Sequence, residues 1–102
     1  MRRDVFQAIA DPTRREILKL LAAEHMTLNT IAENFDVSRP AISKHIKILT
    51  ESGLVKISPR GRERYCSVNH EKLREVSDWV KYFETFWDNK LLALKQFVED
   101  KK

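Results

Sequence analysis

Apolar residues in the middle of the chain recur at the spacing of a helix. Ser38 is a favourable N-cap and Gly53 a typical helix terminator, so we expect a helix over 38–52. Its apolar positions fall at i, i+4 and i+7, on one buried face: Ile42, Ile46 and Leu49. The opposite face is basic and carries a hydroxyl group: Arg39, Ser43, Lys44 and Lys47. The helix therefore has one face for packing and a second face that needs another explanation.

The flanking sequence predicts more helices. Residues 4–10 form a short amphipathic helix, and Asp11-Pro12 begins a second helix that runs to about Glu24. A third helix ends near Asn34. It begins at Thr27 or at Thr30, because Thr30 with Glu33 resembles a capping box.

Two β-rich runs follow, at 54–58 and 64–68, separated by the residues PRGRE. Their alternation and the central glycine favour a two-stranded hairpin. From His70 the pattern is helical again to about Val98. The predicted fold is mainly α with a small β-hairpin, in the order α-α-α-α-β-β-α, and 102 residues suit a single domain over 1–102.

A helix-turn-helix followed by a hairpin is the layout of a winged helix-turn-helix protein. In such a unit the second helix lies in the DNA major groove while its apolar face packs on the body. The hairpin tip, residues 59–64, is then a wing that reaches an adjacent minor groove or its phosphates. The predicted DNA-binding residues are Ser38, Arg39, Pro40, Ser43, Lys44, His45, Lys47, Arg60, Arg62 and Arg64.

The charge distribution agrees with this interpretation. Residues 38–64 carry seven Lys or Arg against two Glu, a net charge of +5, whereas the rest of the chain has a net charge of −1. A localised basic zone is expected where a protein binds the phosphate backbone. A Lys/Arg-rich solvated face would give the same charge pattern.

The C-terminal helix, 70–98, carries an aromatic stripe with alternating steps of three and four residues. Such a stripe is usually core or a helix–helix interface, and this one is too long for one small body to cover. We therefore expect a homodimer in which this helix packs with the N-terminal helix. The predicted interface residues are Val5, Phe6, Ile9, Trp79, Phe83, Phe86, Trp87 and Leu94.

Three ordered segments resemble the ArsR/SmtB family of winged-helix transcriptional repressors. They read AIADPTRREILKLL at 8–21, TLNTIAENFDVSRPAISKHIKILTESGLV at 27–55 and RGRERYCSV at 60–68. The resemblance implies a homodimer on a roughly palindromic operator. It also implies that the residues matching Ser38, Arg39, Ser43, Lys44 and His45 lie at the DNA interface.

The metal sites of that family have no counterpart in this sequence. The Cys-x-Cys of its best-known sensors aligns with Thr27-Leu28-Asn29, and the C-terminal helix has His70 but no second histidine. The sequence therefore resembles a metal-independent branch with an aromatic C-terminal helix, and we expect neither metal nor cofactor. It does not identify a small-molecule effector.

Two residues allow simpler interpretations. His45 adjoins the apolar face, so it is either a DNA contact or a packed, half-buried histidine. Cys66 lies in a predicted strand without partners spaced for tetrahedral ligation, so we expect a small core residue.

Other functional classes are less consistent with the sequence. It contains no P-loop, glycine-rich nucleotide loop or Ser/His/Asp arrangement, so we do not expect an enzyme. A protein-interaction module built on the aromatic helix would leave the basic hairpin unexplained. A single cysteine and the lack of a signal peptide or membrane span favour a cytoplasmic protein whose partners are double-stranded DNA and a second copy, with no membrane.

Overall fold

A computed structural model describes residues 4–100. The elements follow one another along the chain as α1 Val5–Ala8, α2 Pro12–Ala23, β1 Met26–Thr27, α3 Leu28–Glu33, α4 Arg39–Glu51, β2 Val55–Arg60, β3 Glu63–Val68 and α5 His70–Asp100. The mainly helical fold with a winged hairpin is the predicted one, and it contains one additional strand, β1, that the sequence pattern does not predict.

Each of the first four helices begins at a short polar side chain that acts as an N-cap. Asp4 caps α1, Asp11 caps α2 ahead of Pro12, and Ser38 caps α4, each through an oxygen that accepts a backbone N–H. Thr27 caps α3 by accepting from the Thr30 amide at 3.3 Å, which decides between the two predicted starts. These contacts fix the turns that separate the helices.

The sheet has three antiparallel strands in the order β1-β3-β2. The predicted hairpin is confirmed, with a longer ladder than expected that runs from Val55–Val68 to Arg60–Glu63. Gly61 has φ +62° in the two-residue turn, a conformation that glycine adopts without steric cost. The added strand is only two residues long, and its Met26 lies opposite Cys66.

The hydrophobic core lies between α1–α4 and the inner face of the sheet. Cys66, predicted to be a core residue, is 3% exposed. Val5, one of the residues predicted for the dimer interface, is 2% exposed, so its side chain packs in the core of its own protomer. The fully buried side chains that centre the core are Ile17, Ile31, Ile42, Leu49 and Leu54.

The long helix α5 is anchored only at its beginning. The Asn69 side-chain amide donates to the Gly53 carbonyl oxygen at 3.0 Å, and its Oδ1 accepts from the Lys72 amide at 3.4 Å. Leu73 and Val76 pack against the core, but none of the described residues of α5 is buried. The rest extends from the body, so that the protomer measures 68 × 28 × 25 Å. Between residues 4 and 100, no helix is both long and apolar enough to cross a membrane.

Candidate nucleic-acid interface

Helix α4 divides into the two faces that its sequence predicted. Its packing face holds Ile42, Ile46 and Leu49, all buried in the core. The positions proposed for DNA contact on this helix, apart from His45, are exposed: Ser38, Arg39, Pro40, Ser43, Lys44 and Lys47. A single short helix thus anchors itself in the body and presents a hydroxyl and three cations to solvent.

The wing presents Arg60, Arg62 and Arg64, all exposed, around the turn at Gly61. The Arg60 guanidinium lies 5.2 Å from the centre of the Tyr65 ring, a cation–π distance. The Tyr65 hydroxyl donates to Glu63 Oε2 at 2.9 Å. That hydrogen bond to a carboxylate raises the pKa of Tyr65, so the tyrosine stays neutral near pH 7.

Folding brings the start of α4 and the wing to one concave surface. A cleft of about 280 Å³, which we call the arginine cleft, is lined by the beginning of α3, by Arg39 and by the wing. The wing contributes Arg62, Glu63 and Arg64, which are more than 20 positions away from Arg39 in the sequence. Three guanidinium groups against one carboxylate make this surface complementary to phosphate.

The arginine cleft is also lined by Asn29, which is not among the DNA-binding residues predicted from the sequence. Asn29 is exposed in the first turn of α3. Its side-chain amide is a hydrogen-bond donor of the kind that contacts phosphate oxygens. Nothing local distinguishes it from an ordinary helix-start residue.

His45 is tied to the body on one side. Its side chain is 23% exposed, and its Nδ1 lies 3.3 Å from Arg14 Nη1 and 3.9 Å from Asp11 Oδ2. Arg14 also donates from Nε to the Ala8 carbonyl oxygen at 2.6 Å. His45 is therefore a packed, half-buried histidine on this side. Arg14, which no sequence pattern singles out, links α1, α2 and α4 and so helps to hold α4 in place.

Asp11 completes this network at the start of α2. Its carboxylate accepts from the Arg14 amide at 3.0 Å. This backbone hydrogen bond, helped by the nearby charges of His45 and Arg14, holds the pKa of Asp11 below its ordinary value although partial burial acts to raise it. Asp11 is therefore charged at neutral pH.

The predicted dimer residues other than Val5 fall on two surfaces. Phe6 of α1 meets Trp79 edge to face, with ring centroids 5.4 Å apart, and Trp79 contacts Phe83 at 4.8 Å. Ile9 packs partly against the core. The remainder of the stripe is exposed on the free part of α5: Phe83, Phe86, Trp87 and Leu94.

Known proteins share this arrangement. A family model described as a helix-turn-helix domain matches residues 9–57. Transcriptional repressor SdpR of Bacillus subtilis (strain 168) is 41% identical over 88 residues, which cover 86% of this chain and 98% of the repressor.

Two solved structures extend the similarity to the fold. An ArsR-like transcriptional regulator from Rhodococcus sp. RHA1 superimposes with a TM-score of 0.71 at 34% identity, covering 91% of this chain and 88% of that one. A homodimeric winged helix-turn-helix DNA-binding domain from Mycobacterium bovis gives a TM-score of 0.65 at 25% identity, covering 79% and 75% of the respective chains.

The fold and the basic surface define a DNA-binding winged helix-turn-helix regulator. The chain belongs to the ArsR family of transcriptional repressors, as its sequence indicated. Membership of this family makes it a regulator rather than an enzyme. Across residues 4–100, no group of three or more His, Cys, Asp or Glu side chains is placed to hold a metal ion.

Proposed function

We propose that the protein represses transcription by binding a roughly palindromic operator as a homodimer, with α4 in the major groove and the wing on neighbouring minor groove or phosphate. The arginine cleft is the observation that carries this proposal. It joins Arg39 to Arg62 and Arg64, so the helix and the wing can contact one stretch of duplex together. Because such a repressor must reach chromosomal DNA, the protein is proposed to act in the cytoplasm.

The first turns of α4 are proposed to read the bases. Arg39 follows the Ser38 cap, and the beginning of a recognition helix is the part that contacts base edges. Arginine makes bidentate contacts with guanine, and Ser43, one turn further along, reaches either a base edge or a phosphate. Lys47 lies another turn along and contacts the backbone. Pro40 donates no hydrogen bond and stiffens the first turn.

The wing is proposed to supply attraction that does not depend on sequence. Arg62 and Arg64 lie on a short two-stranded tip, and a basic tip responds to phosphate charge and groove width. His45 is proposed to touch DNA only with the edge that its contact with Arg14 leaves accessible.

The proposed dimer forms through the exposed stripe of α5 and the α1 surface beside it. The Mycobacterium bovis domain is homodimeric. In this chain, the contact between Phe6 and Trp79 joins α1 and α5 into one aromatic surface. Two copies related by a two-fold axis would place their recognition helices in successive major grooves, roughly 34–36 Å apart. The stripe and the basic surface then serve one purpose.

The decisive experiment is a binding-site selection carried out with the wild type, Arg39→Ala and Arg62→Ala. Arg39→Ala is expected to cost about 1–3 kcal/mol on the selected operator and to relax the preference at one base pair in each half-site. Arg62→Ala is expected to keep the consensus while it weakens operator and random DNA by similar factors and flattens the salt dependence.

Each variant serves as the control of the other, because both remove one exposed arginine from the same cleft. An unchanged consensus for Arg39→Ala would show that Arg39 contacts only phosphate. A changed consensus for Arg62→Ala would show that the wing reads sequence. If the wild type selected no sequence at all, the proposed operator binding would be rejected.

A further inference from the structure

A second cleft lies between α4 and the sheet, next to the arginine cleft. We call it the apolar cleft; its volume is about 370 Å³. Small-molecule sites in proteins typically measure about 300–1,000 Å³ and are lined mainly by apolar groups. Three side chains that reach towards the core form its floor: Ile46 of α4, Ile57 of β2 and Cys66 of β3.

The floor offers a ligand no charge and little hydrogen bonding. Burial raises the pKa of the Cys66 thiol, which is therefore neutral at pH 7. The Thr50 hydroxyl, also in the lining, already donates to the Ile46 carbonyl oxygen at 2.8 Å. An alkyl chain is the chemistry that gains most from such a surface, because each methylene group that leaves water for an apolar lining adds to the affinity.

The rim, in contrast, is charged. Lys47 on α4 and Arg64 on β3 both line the cleft and are exposed. Glu51 lines it one helical turn beyond Lys47 and places negative charge towards the end of α4. An anionic head group is thus attracted to the side of Lys47 and Arg64.

We propose that the apolar cleft binds a medium-chain aliphatic carboxylate, with the alkyl tail on Ile46, Ile57 and Cys66 and the carboxylate at Lys47 and Arg64. Bound there, the ligand weakens DNA binding. Lys47 and Arg64 are proposed DNA contacts that it occupies, and it lies between the helix and the wing that share the duplex. The predicted weakening of DNA binding rests on the proposed function, whereas the binding of the ligand to the cleft does not.

Binding is tested first without DNA, using decanoate below its micellar concentration and ¹⁵N-labelled protein. Decyltrimethylammonium, which has the same tail and the opposite charge, is the matched control ligand. Decanoate should shift the amide signals of α4 and the hairpin, and the cation should not. No shifts, or equal shifts with the cation, would overturn the proposal. Shifts confined to the Trp79 and Trp87 indoles would also overturn it, since they would assign binding to the exposed stripe of α5.

Cys66 provides an independent readout because it is the only cysteine in the chain. If only the protein with an empty cleft reacts, the rate of Cys66 alkylation by iodoacetamide should fall in proportion to the fraction of free protein. At a decanoate concentration of ten times the dissociation constant, the rate should fall roughly tenfold. Unchanged alkylation at a decanoate concentration that saturates the shifts would place the ligand elsewhere and contradict the proposal.

Two substitutions on one strand localise the site. Ile57→Trp fills the cleft and should weaken decanoate binding by about tenfold or more, whereas Ser58→Trp, at an exposed position next to it, should not. Equal affinities in the two variants would overturn the proposal. If Ile57→Trp fails to fold, Lys47→Gln and Arg64→Gln replace it, and each should weaken decanoate binding; wild-type affinity in both would reject the assigned head-group site.

The regulatory consequence is measured by fluorescence anisotropy on the selected operator. Saturating decanoate should raise the dissociation constant for DNA by about fivefold or more, within the usual range of coupling between sites. Ile57→Trp should bind DNA normally and lose this response. If the protein binds no operator, the proposed function fails while the amide shifts still decide ligand binding. If it binds DNA with no response to bound decanoate, the regulatory part of this inference is rejected.

Discussion

Helices α4 and α5 carry the same kind of amphipathic pattern, but the apolar stripe is buried in α4 and exposed in α5. In α4 the apolar stripe disappears into the body, where Ile46 is 5% exposed. In α5 the stripe remains outside, where Trp87 is 61% exposed. Charged residues occur at similar density in the two helices, so charge content does not explain why one stripe is buried and the other exposed; Phe, Trp and Tyr, in contrast, occur only in α5.

The difference lies in what the chain folds around each helix. Helix α4 packs on α1, α2, α3 and β2, whereas α5 meets α1 near its beginning and then leaves the body. An amphipathic period shows that one face of a helix is to be buried. It does not show whether that face packs on its own protomer or on a partner. A continuous exposed aromatic face on a small protein is typical of an interaction site.

The largest expected effect is on folding, in α4. Ile46→Lys places a charge in the packing face and should destabilise the protein by more than about 4 kcal/mol, comparable with a typical total stability. Circular dichroism during urea unfolding measures this. Lys44→Ala, on the exposed face of the same helix, should change the free energy of unfolding little. A cooperative transition of wild-type midpoint for Ile46→Lys would show that the α4 stripe is not a packing face.

The next effect is on assembly, in α5. Trp87→Lys should leave the protomer folded and weaken the dimer by roughly 30-fold or more, the size expected for a central interface tryptophan. Operator affinity should fall with it. Sedimentation equilibrium measures the dimer constant.

Leu92→Lys is the matched control for that substitution. Leu92 is as exposed as Trp87 but projects from the other side of the helix, because five residues correspond to about 140° of rotation. It should leave the dimer intact. A stable wild-type monomer at micromolar concentration, or equal losses in the two variants, would refute the assignment of the stripe to the dimer interface.

A smaller effect is expected at Asp11, which supports α4 through Arg14 and His45. Asp11→Ala removes an N-cap and should cost about 1 kcal/mol near pH 7. Because folding lowers the pKa of Asp11, its charged form stabilises the native state above the unfolded pKa. That contribution is lost as the pH falls through the folded pKa, so the gap between wild type and variant should narrow on acidification.

Urea unfolding near pH 7 and near pH 3 checks this dependence, with Asp11→Asn as the control. Asparagine keeps the capping oxygen and loses the charge, so its stability relative to Asp11→Ala should hardly change with pH. A gap between wild type and Asp11→Ala that widened in acid would contradict the assignment of the stabilising charge to Asp11.

No effect at all is expected from zinc. Thr27-Leu28-Asn29 supply no thiol, and α5 has a histidine only at its first position. Operator affinity measured with micromolar zinc and with a chelator should therefore be the same. Stoichiometric zinc binding that changed operator affinity would show that α3 or α5 carries ligands which their sequences do not indicate.

The features that depend on near neighbours could be predicted from the sequence. Asp11 and Ser38 begin helices because their side chains accept hydrogen bonds from amides three residues further along. The turn at Gly61 needs only a residue that tolerates positive φ. The buried face of α4 could be identified because its apolar residues recur with the helical period within one short segment. Such signals are read from a few adjacent residues, and from them the winged helix-turn-helix layout was predicted.

The features that depend on residues far apart in the sequence became visible only in the folded protein. The strand at Met26 is too short to have its own pattern and exists because β3 pairs with it. Val5 is buried because α4 and α5 close over α1, and His45 meets Arg14 across 31 positions of sequence. The arginine cleft likewise exists only once α4 and the wing adjoin. Distances between such residues are set by the packing of whole elements, for which no short stretch of sequence carries a local signal.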